Sequence, residues 1–248
     1  MNIKLIACKV LSREVGLLCA RCPNFIDITY IRQGYHDQPE VLRRILQHEI
    51  DLVESGDDPH TSHPDKNEVE AIALGYGLCS GGVKGLVTKK YPLVIPRAHD
   101  CITLFLGSKE RYREYFDAHP GTYWYTHGWI DNTNMPGPDY LENYRRRYER
   151  DYDEDEVEFL LDTQNTWLKK YDNAAYVRLP EIGDDEKALA FTKDAAESYG
   201  WGCDALDGDL SLLKSLLWGD WRDGDFLVVR PGQTVDQCYE GERIIEAK

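Results

Sequence analysis

The chain is short of basic charge. Its 29 Lys and Arg face 44 Asp and Glu, which leaves a net charge of −15 over 248 residues and a pI near 4.9. Such a surface repels phosphate backbones and anionic headgroups, so neither nucleic acid nor a membrane is expected as a partner. No stretch approaches the roughly 20 apolar residues that a membrane-crossing helix needs. Met1–Cys8 carries one lysine and no long apolar run behind it, so it reads as a short strand and not as a secretory leader. A cytoplasmic location is the expectation. Internal repeats are absent, and so are the G-x-G-x-x-G and G-K-[ST] orders of nucleotide-binding loops.

What the chain does have is a hydrophobic content of 42%, enough to bury a full core, and seven cysteines. In a cytoplasmic protein these are thiols or metal ligands before they are a disulfide framework, and an odd count agrees with that.

Strand and helix patterns alternate. Lys4–Ala7 is a short apolar run suited to a buried parallel strand, and Leu11–Ala20 reads as a helix. Ile26–Ile31 alternates as a strand does. Pro39–Glu54 places Val41, Leu42, Ile45, Leu46, Ile50 and Val53 on one helical stripe. A polar loop, Ser55–Asn67, leads to strands at Ala71–Gly75 and Pro92–Pro96, a helix over Ile102–Ala118 and a fifth strand at Thr122–Thr126. Asp131–Lys170 holds two helices, Asp139–Glu149 and Glu154–Lys170. The rhythm then resumes with strand Ala175–Leu179, helix Asp184–Tyr199, a short segment near Cys203–Leu206, helix Leu210–Leu217, strand Asp225–Val229 and an edge strand within Asp236–Lys248. The fold class expected is α/β: an open, mostly parallel Rossmann-like sheet with helices on both faces, a helical insertion and a second, smaller α/β lobe. Residues 1–130 form the first lobe in this reading, 131–172 the helical connection and 173–248 the second lobe.

Three cysteines close strand-like segments: Cys8 the first, Cys79 the third and Cys101 the fourth. In the common strand order 2-1-3-4-5 those strands are neighbours, and ligands bind at their carboxyl ends. Parallel neighbours lie about 4.8 Å apart, so three strand ends span on the order of 10 Å. Cys8, Cys79 and Cys101 are therefore candidate metal ligands, set against the plain alternative that a cysteine at a strand end is a small core hydrophobe. Gly77, Gly81 and Gly82 in GYGLCSGG let backbone pack closely against a cofactor or an anion. Three thiolates suit a [4Fe–4S] cluster with one open iron or a zinc with one open position, and either leaves a Lewis acid for substrate. His99, in His99-Asp100-Cys101, is a candidate proton carrier. His99-x-Cys101 also resembles the ligand pair of zinc methyltransferases, with Cys79 or Cys203 as third ligand. His127, among Tyr125 and Trp129, is a second acid–base candidate, or part of an aromatic core. Asp209 reads as a helix cap. Cys19-Ala-Arg-Cys22 has no second pair and Cys238 no motif around it.

IACKVL, ALGYGLC, PRAHDCITLFLGS with ERYREYF, HPGTYWYTHGWI, and GDLSLL with FLVVRPG resemble the uncharacterised family called domain of unknown function 1638. That resemblance implies Cys8, Cys79, His99 and Cys101 as signature positions, and it implies a setting beside corrinoid-dependent methyltransferase systems. The architecture is also similar to that of quinolinate synthase and the thiouracil desulfidases, where three cysteines hold a cluster with an open iron. The leading expectation is a non-redox [4Fe–4S] enzyme acting on a small-molecule substrate. The alternatives are a zinc-thiolate protein of methyl transfer and a non-catalytic module binding a corrinoid protein or methyltransferase. Self-association is left open.

Overall fold

The computed structural model describes residues 1–61, 68–183, 185–239 and 243–248. The second half of the expected Ser55–Asn67 loop and Asp184 lie outside them. In chain order the elements are β1 (Asn2–Cys8), α1 (Ser12–Cys19), β2 (Phe25–Ile31), α2 (Pro39–Ser55), β3 (Ala71–Gly75), β4 (Leu93–Pro96), α3 (Cys101–Leu106) and α4 (Lys109–Ala118). There follow β5 (Thr122–Tyr125), α5 (His127–Asn132), α6 (Tyr140–Tyr148), α7 (Glu154–Leu168), β6 (Asn173–Arg178), α8 (Asp185–Tyr199) and β7 (Gly202–Asp207). Last come α9 (Ser211–Trp218), β8 (Phe226–Val229), β9 (Val235–Gln237) and β10 (Ile245–Ala247). The fold is α/β, with a mostly parallel five-stranded sheet and a second, smaller sheet.

The chain divides into two compact units. One is Met1–Tyr112 with Asp209–Lys248, the other Arg113–Gly208. The expected cuts after residues 130 and 172 do not coincide with this division. β5 pairs with β6, which takes it out of the first unit, and β8 pairs with β4, which brings the C-terminal segment back into it.

The first unit is built on the order β2-β1-β3-β4-β8. β3 and β4 are buried at every residue, as central parallel strands are, whereas β2 alternates, as an edge strand does. The expected order holds for the first four strands. The fifth place goes to β8, which runs antiparallel to β4. Ile6, Ile72 and Leu74 form one core with Leu42, Leu46, Ile50 and Val53 of α2. α9 packs on β3 and β4 and against α1. Pro39 opens α2, and Gly56, at φ +81°, ends it in the left-handed region that favours glycine. One charge is buried in the sheet. Lys4 Nζ lies 3.2 Å from Asp27 Oδ2 and 2.5 Å from Asp58 Oδ2, so it is paired twice.

The expected single helix Ile102–Ala118 is two helices. Gly107, at φ +74°, caps α3, and a side chain there would meet Asp209 at 2.8 Å. The second unit carries the parallel order β5-β6-β7. Tyr125, Ala174, Tyr176, Ala188, Ala195 and Ala196 form its core. The short segment near Cys203 is an edge strand, β7, most of whose residues are exposed or half-buried. The expected edge strand in the C-terminal tail is a pair, β9 and β10, joined antiparallel.

Candidate functional site

β1, β3 and β4 deliver their C-terminal ends to one edge of the first sheet. Cys8 closes β1 as expected. Cys79 and Cys101 do not close strands: β3 ends at Gly75 and β4 at Pro96, and the two thiols sit a few residues beyond those ends. The loops that leave β3 and β4 stay side by side. The Leu78 N–H donates to the Ala98 carbonyl at 2.7 Å and the Cys79 N–H to the His99 carbonyl at 2.9 Å. Gly77 permits this. A Cβ there would stand 2.7 Å from Ala98 O and 2.8 Å from the Asp100 nitrogen.

The chain then makes a one-turn helix, Cys79–Gly81, with φ of 45° at Cys79, 57° at Ser80 and 90° at Gly81. Left-handed backbone costs a residue with a side chain about 1–2 kcal/mol, so Cys79 and Ser80 are held there against their preference by the hydrogen bonds of the adjoining loop. Across from this turn Asp100 caps α3. Its Oδ1 accepts from the Ile102 N–H at 2.9 Å and its Oδ2 accepts from the Tyr112 hydroxyl at 2.9 Å. Cys101 is the first residue of α3.

Tyr76 stands at the centre. Its phenol is buried and within electrostatic reach of Cys8, Cys79 and Cys101. Burial first, and then those thiols, hold its pKa above the ordinary phenol range. The hydroxyl is enclosed without a well-formed hydrogen bond, the Cys8 thiol being the one partner it approaches among the described residues. Burial also raises the Cys79 thiol, helped by the Asp100 carboxylate and Cys8, and raises Cys8 despite hydrogen bonds to it. The Asp100 carboxyl is pushed up by burial, against the Tyr112 and backbone donors and the nearby His99. His99 is exposed, with its ring 6.3 Å from that of Tyr112.

The donors are of the right kind for a soft metal. Their spacing is not that of one ion: among the described residues no group of three or more His, Cys, Asp or Glu is arranged to hold one. The thiols gather about the Tyr76 phenol, not about a common point.

Of the three glycines, two are occupied by the protein itself. Gly77 faces backbone, as above, and a Cβ on Gly82 would meet Leu42 at 2.5 Å. Gly81 borders open space. The helix that begins here is a single turn, too short to draw an anion by its dipole. Cys203 is exposed on β7 of the second unit. Cys19 is pushed up to about 11 by burial and by Cys22, and the Cys22 thiol donates to the Leu217 carbonyl. Asp209 accepts from the Ser211 N–H at 2.7 Å, but the cap position of α9 is Leu210, one residue later than the expected Asp209.

His127 belongs to the second unit, at the start of α5, where Thr126 caps the helix. Its Nε2 lies 3.5 Å from Asp185 Oδ1, and the same oxygen accepts from the Tyr176 hydroxyl at 2.5 Å. Neither Asp185 nor Tyr176 stands out in the sequence, because nothing local ties them to His127. Tyr76 is in view within GYGLC but has no partner there to mark it.

The family described as "Protein of unknown function (DUF1638)" matches residues 30–217. That span includes Cys79, His99, Cys101 and His127, and begins after Cys8. No curated protein and no solved structure matches the chain.

Proposed function

We propose, for this chain, which belongs to the DUF1638 family, that Cys8, Cys79 and Cys101 take up a [4Fe–4S] cluster and that the protein is a non-redox enzyme of a small-molecule substrate. The observation that carries the reading is the Tyr76 hydroxyl, buried without a well-formed hydrogen bond where three thiols come within electrostatic reach. A buried polar atom left in this state calls for a partner that is not a protein group.

Bound, the cluster would supply a Lewis acid at its open iron. The chain's own residues do the rest. Burial raises the Cys79 and Cys8 thiols, and a bound cation would favour the loss of their protons. The paired loops fix the Cys79 backbone before anything binds. Asp100, raised by burial, lies within electrostatic reach of Cys79 and accepts from the Tyr112 hydroxyl. His99, exposed beside it, is the group placed to pass a proton between the site and solvent. His127 lies in the second unit, its enclosed Nε2 3.5 Å from Asp185 without a hydrogen bond, and in this reading the first unit's His99 moves the proton.

The test is purification without oxygen. Brown protein with broad visible absorption that bleaches in air, lost in Cys79→Ser, is the expected result. Colourless protein with one zinc per chain would replace the cluster with the zinc-thiolate alternative. Metal-free protein after reconstitution with iron and sulfide would end both readings.

A further inference from the structure

A groove of about 540 Å³ opens at the C-terminal end of β2, between that strand, the turn Tyr35–Asp37 and the outer side of α2. That volume lies in the range of small-molecule sites. Ile31, Val41 and Ile45 line its apolar part. The last two belong to the α2 stripe that periodicity assigns to the core, yet they are only half-buried: Ile45 packs against the core and borders the groove as well, and Val41 borders the groove.

The polar lining is cationic, against the trend of a chain carrying −15. Arg32 and Arg44 both line the groove and both are exposed. The Arg32 Nε donates to the Tyr35 hydroxyl at 2.9 Å, which holds the guanidinium over the Tyr35 ring, 4.9 Å from its centre. Lys9 lies 4.9 Å from the centre of the Tyr30 ring on the groove wall. Among the described residues Arg44 pairs with no carboxylate. Glu49 brings the one carboxylate of the lining, and His48 sits beside it. In so acidic a protein, an arginine facing an open groove without a carboxylate partner is a place where an external anion lowers the energy.

The groove also adjoins the thiol site. Ile31 pairs with Cys8 in the sheet register. The Tyr35–Asp37 turn packs against the Cys79–Gly81 turn, and Tyr35 shares a core cluster with Cys8, Tyr76 and Cys79.

We infer that this groove binds the substrate, and that the substrate is a small anion: a carboxylate or phosphate on an apolar body. Arg44 and Arg32 hold the charged end, and Ile31, Val41 and Ile45 cover the body. That the anion is a substrate rests on the proposed cluster reading; that an anion binds does not.

Calorimetric titration with four probes that share one body and differ in charge tests this: phenylacetate, phenyl phosphate, neutral phenylacetamide and cationic phenethylamine. At least one of the two anions should bind the full-length protein at least about tenfold more tightly than the amide, and the amine should bind more weakly still. The order of the two anions tells carboxylate from phosphate. Arg44→Ala should weaken the anions roughly 10–100-fold, and Arg44→Lys should restore part of the loss. Equal binding of anion and amide, no change in Arg44→Ala, or no binding by either anion would overturn the assignment. The same titration on Cys79→Ser separates the two readings. Anion binding kept in Cys79→Ser shows that the groove acts without the cluster, and anion binding by a parent protein that takes up no metal leaves the groove standing and the cluster refuted. A metal-loaded protein that ignores both anions does the reverse.

Discussion

At the end of β6, the Asp185 carboxylate collects the Tyr176 hydroxyl at 2.5 Å, the Leu179 N–H at 3.4 Å and the edge of His127 at 3.5 Å. At the end of β3, Tyr76 is as deeply enclosed, and its hydroxyl finds thiols but no well-formed hydrogen bond. Tyr76 follows a parallel strand and Tyr176 lies within one, and both bring a polar atom out of water. One region satisfies that atom from within the chain. The other builds a strained, tightly registered pair of loops around a hydroxyl whose one partner among the described residues is the weak Cys8 thiol. A polar group whose own protein supplies a strong partner is structural by default; one enclosed with only a thiol, beside backbone held in an unfavourable conformation, marks a place where a group from outside lowers the energy.

Substitutions sharpen or break this contrast. The largest effect is expected at Gly77. Gly77→Ala drives a Cβ into backbone on the opposite loop, and it should cost about 3 kcal/mol in urea unfolding and remove metal uptake. A stable variant that loads metal normally would show that the two loops need not be in register. Next is Tyr176→Phe. It takes a donor from the Asp185 carboxylate and should cost about 1–3 kcal/mol while leaving metal uptake unchanged.

Glu54 lies between the two cases: its Oε1 is filled by backbone and the Thr88 hydroxyl, while its Oε2 is enclosed without a hydrogen bond among the described residues. Burial works to raise its pKa, but the N–H groups of Lys89, Lys90 and Tyr91 and the Thr88 hydroxyl overcome this and hold it below the ordinary range. Its folded pKa is thus lower than its unfolded one. The stabilisation is fully present above the ordinary glutamate value of about 4.3 and is lost as pH falls through the lowered folded value. Glu54→Gln should flatten the acid limb of a stability–pH curve by about 1 kcal/mol, a figure reduced because the group is partly open to solvent. An acid limb identical to the parent's would contradict this. The smallest effect is expected at Tyr76→Phe. Deleting a hydroxyl that has no good partner should leave the metal-free protein within about 0.5 kcal/mol of the parent, or stabilise it. A loss as large as that of Tyr176→Phe would mean that Tyr76 is satisfied after all, and the contrast would fail.

Much of the first unit was legible in the sequence. β1, β3 and β4 announce themselves as short apolar runs, and α2 by its stripe, because a strand buried on both faces and a helix buried on one leave different periods. Partners are less legible. β5 looks like the next strand of the first sheet and in fact opens the second; nothing in Thr122–Tyr125 encodes which neighbour it will meet. β8 takes the edge place by an antiparallel pairing far along the chain from β4. Gly107 did carry a local signal, since a glycine inside a helical pattern is a natural stop. The left-handed turn at Cys79 and Ser80 carried none, because residues with side chains enter that region only when tertiary hydrogen bonds impose it. The thiol set could be named from its place after three neighbouring strands. That all three lie within electrostatic reach of one buried tyrosine, and that Gly77 and Gly82 are filled by Ala98 and Leu42, depends on packing that no local window contains.

The central claim is that Cys8, Cys79 and Cys101 act as one ligand set. Iron and acid-labile sulfide per chain, determined on oxygen-free protein for the parent and for Cys8→Ser, Cys79→Ser, Cys101→Ser and Cys203→Ser, test it most directly. Near-stoichiometric cluster in the parent and in Cys203→Ser, with loss in each of the other three, is the predicted result. Retention of full iron and sulfide in any of those three, or their absence from the parent, would contradict it.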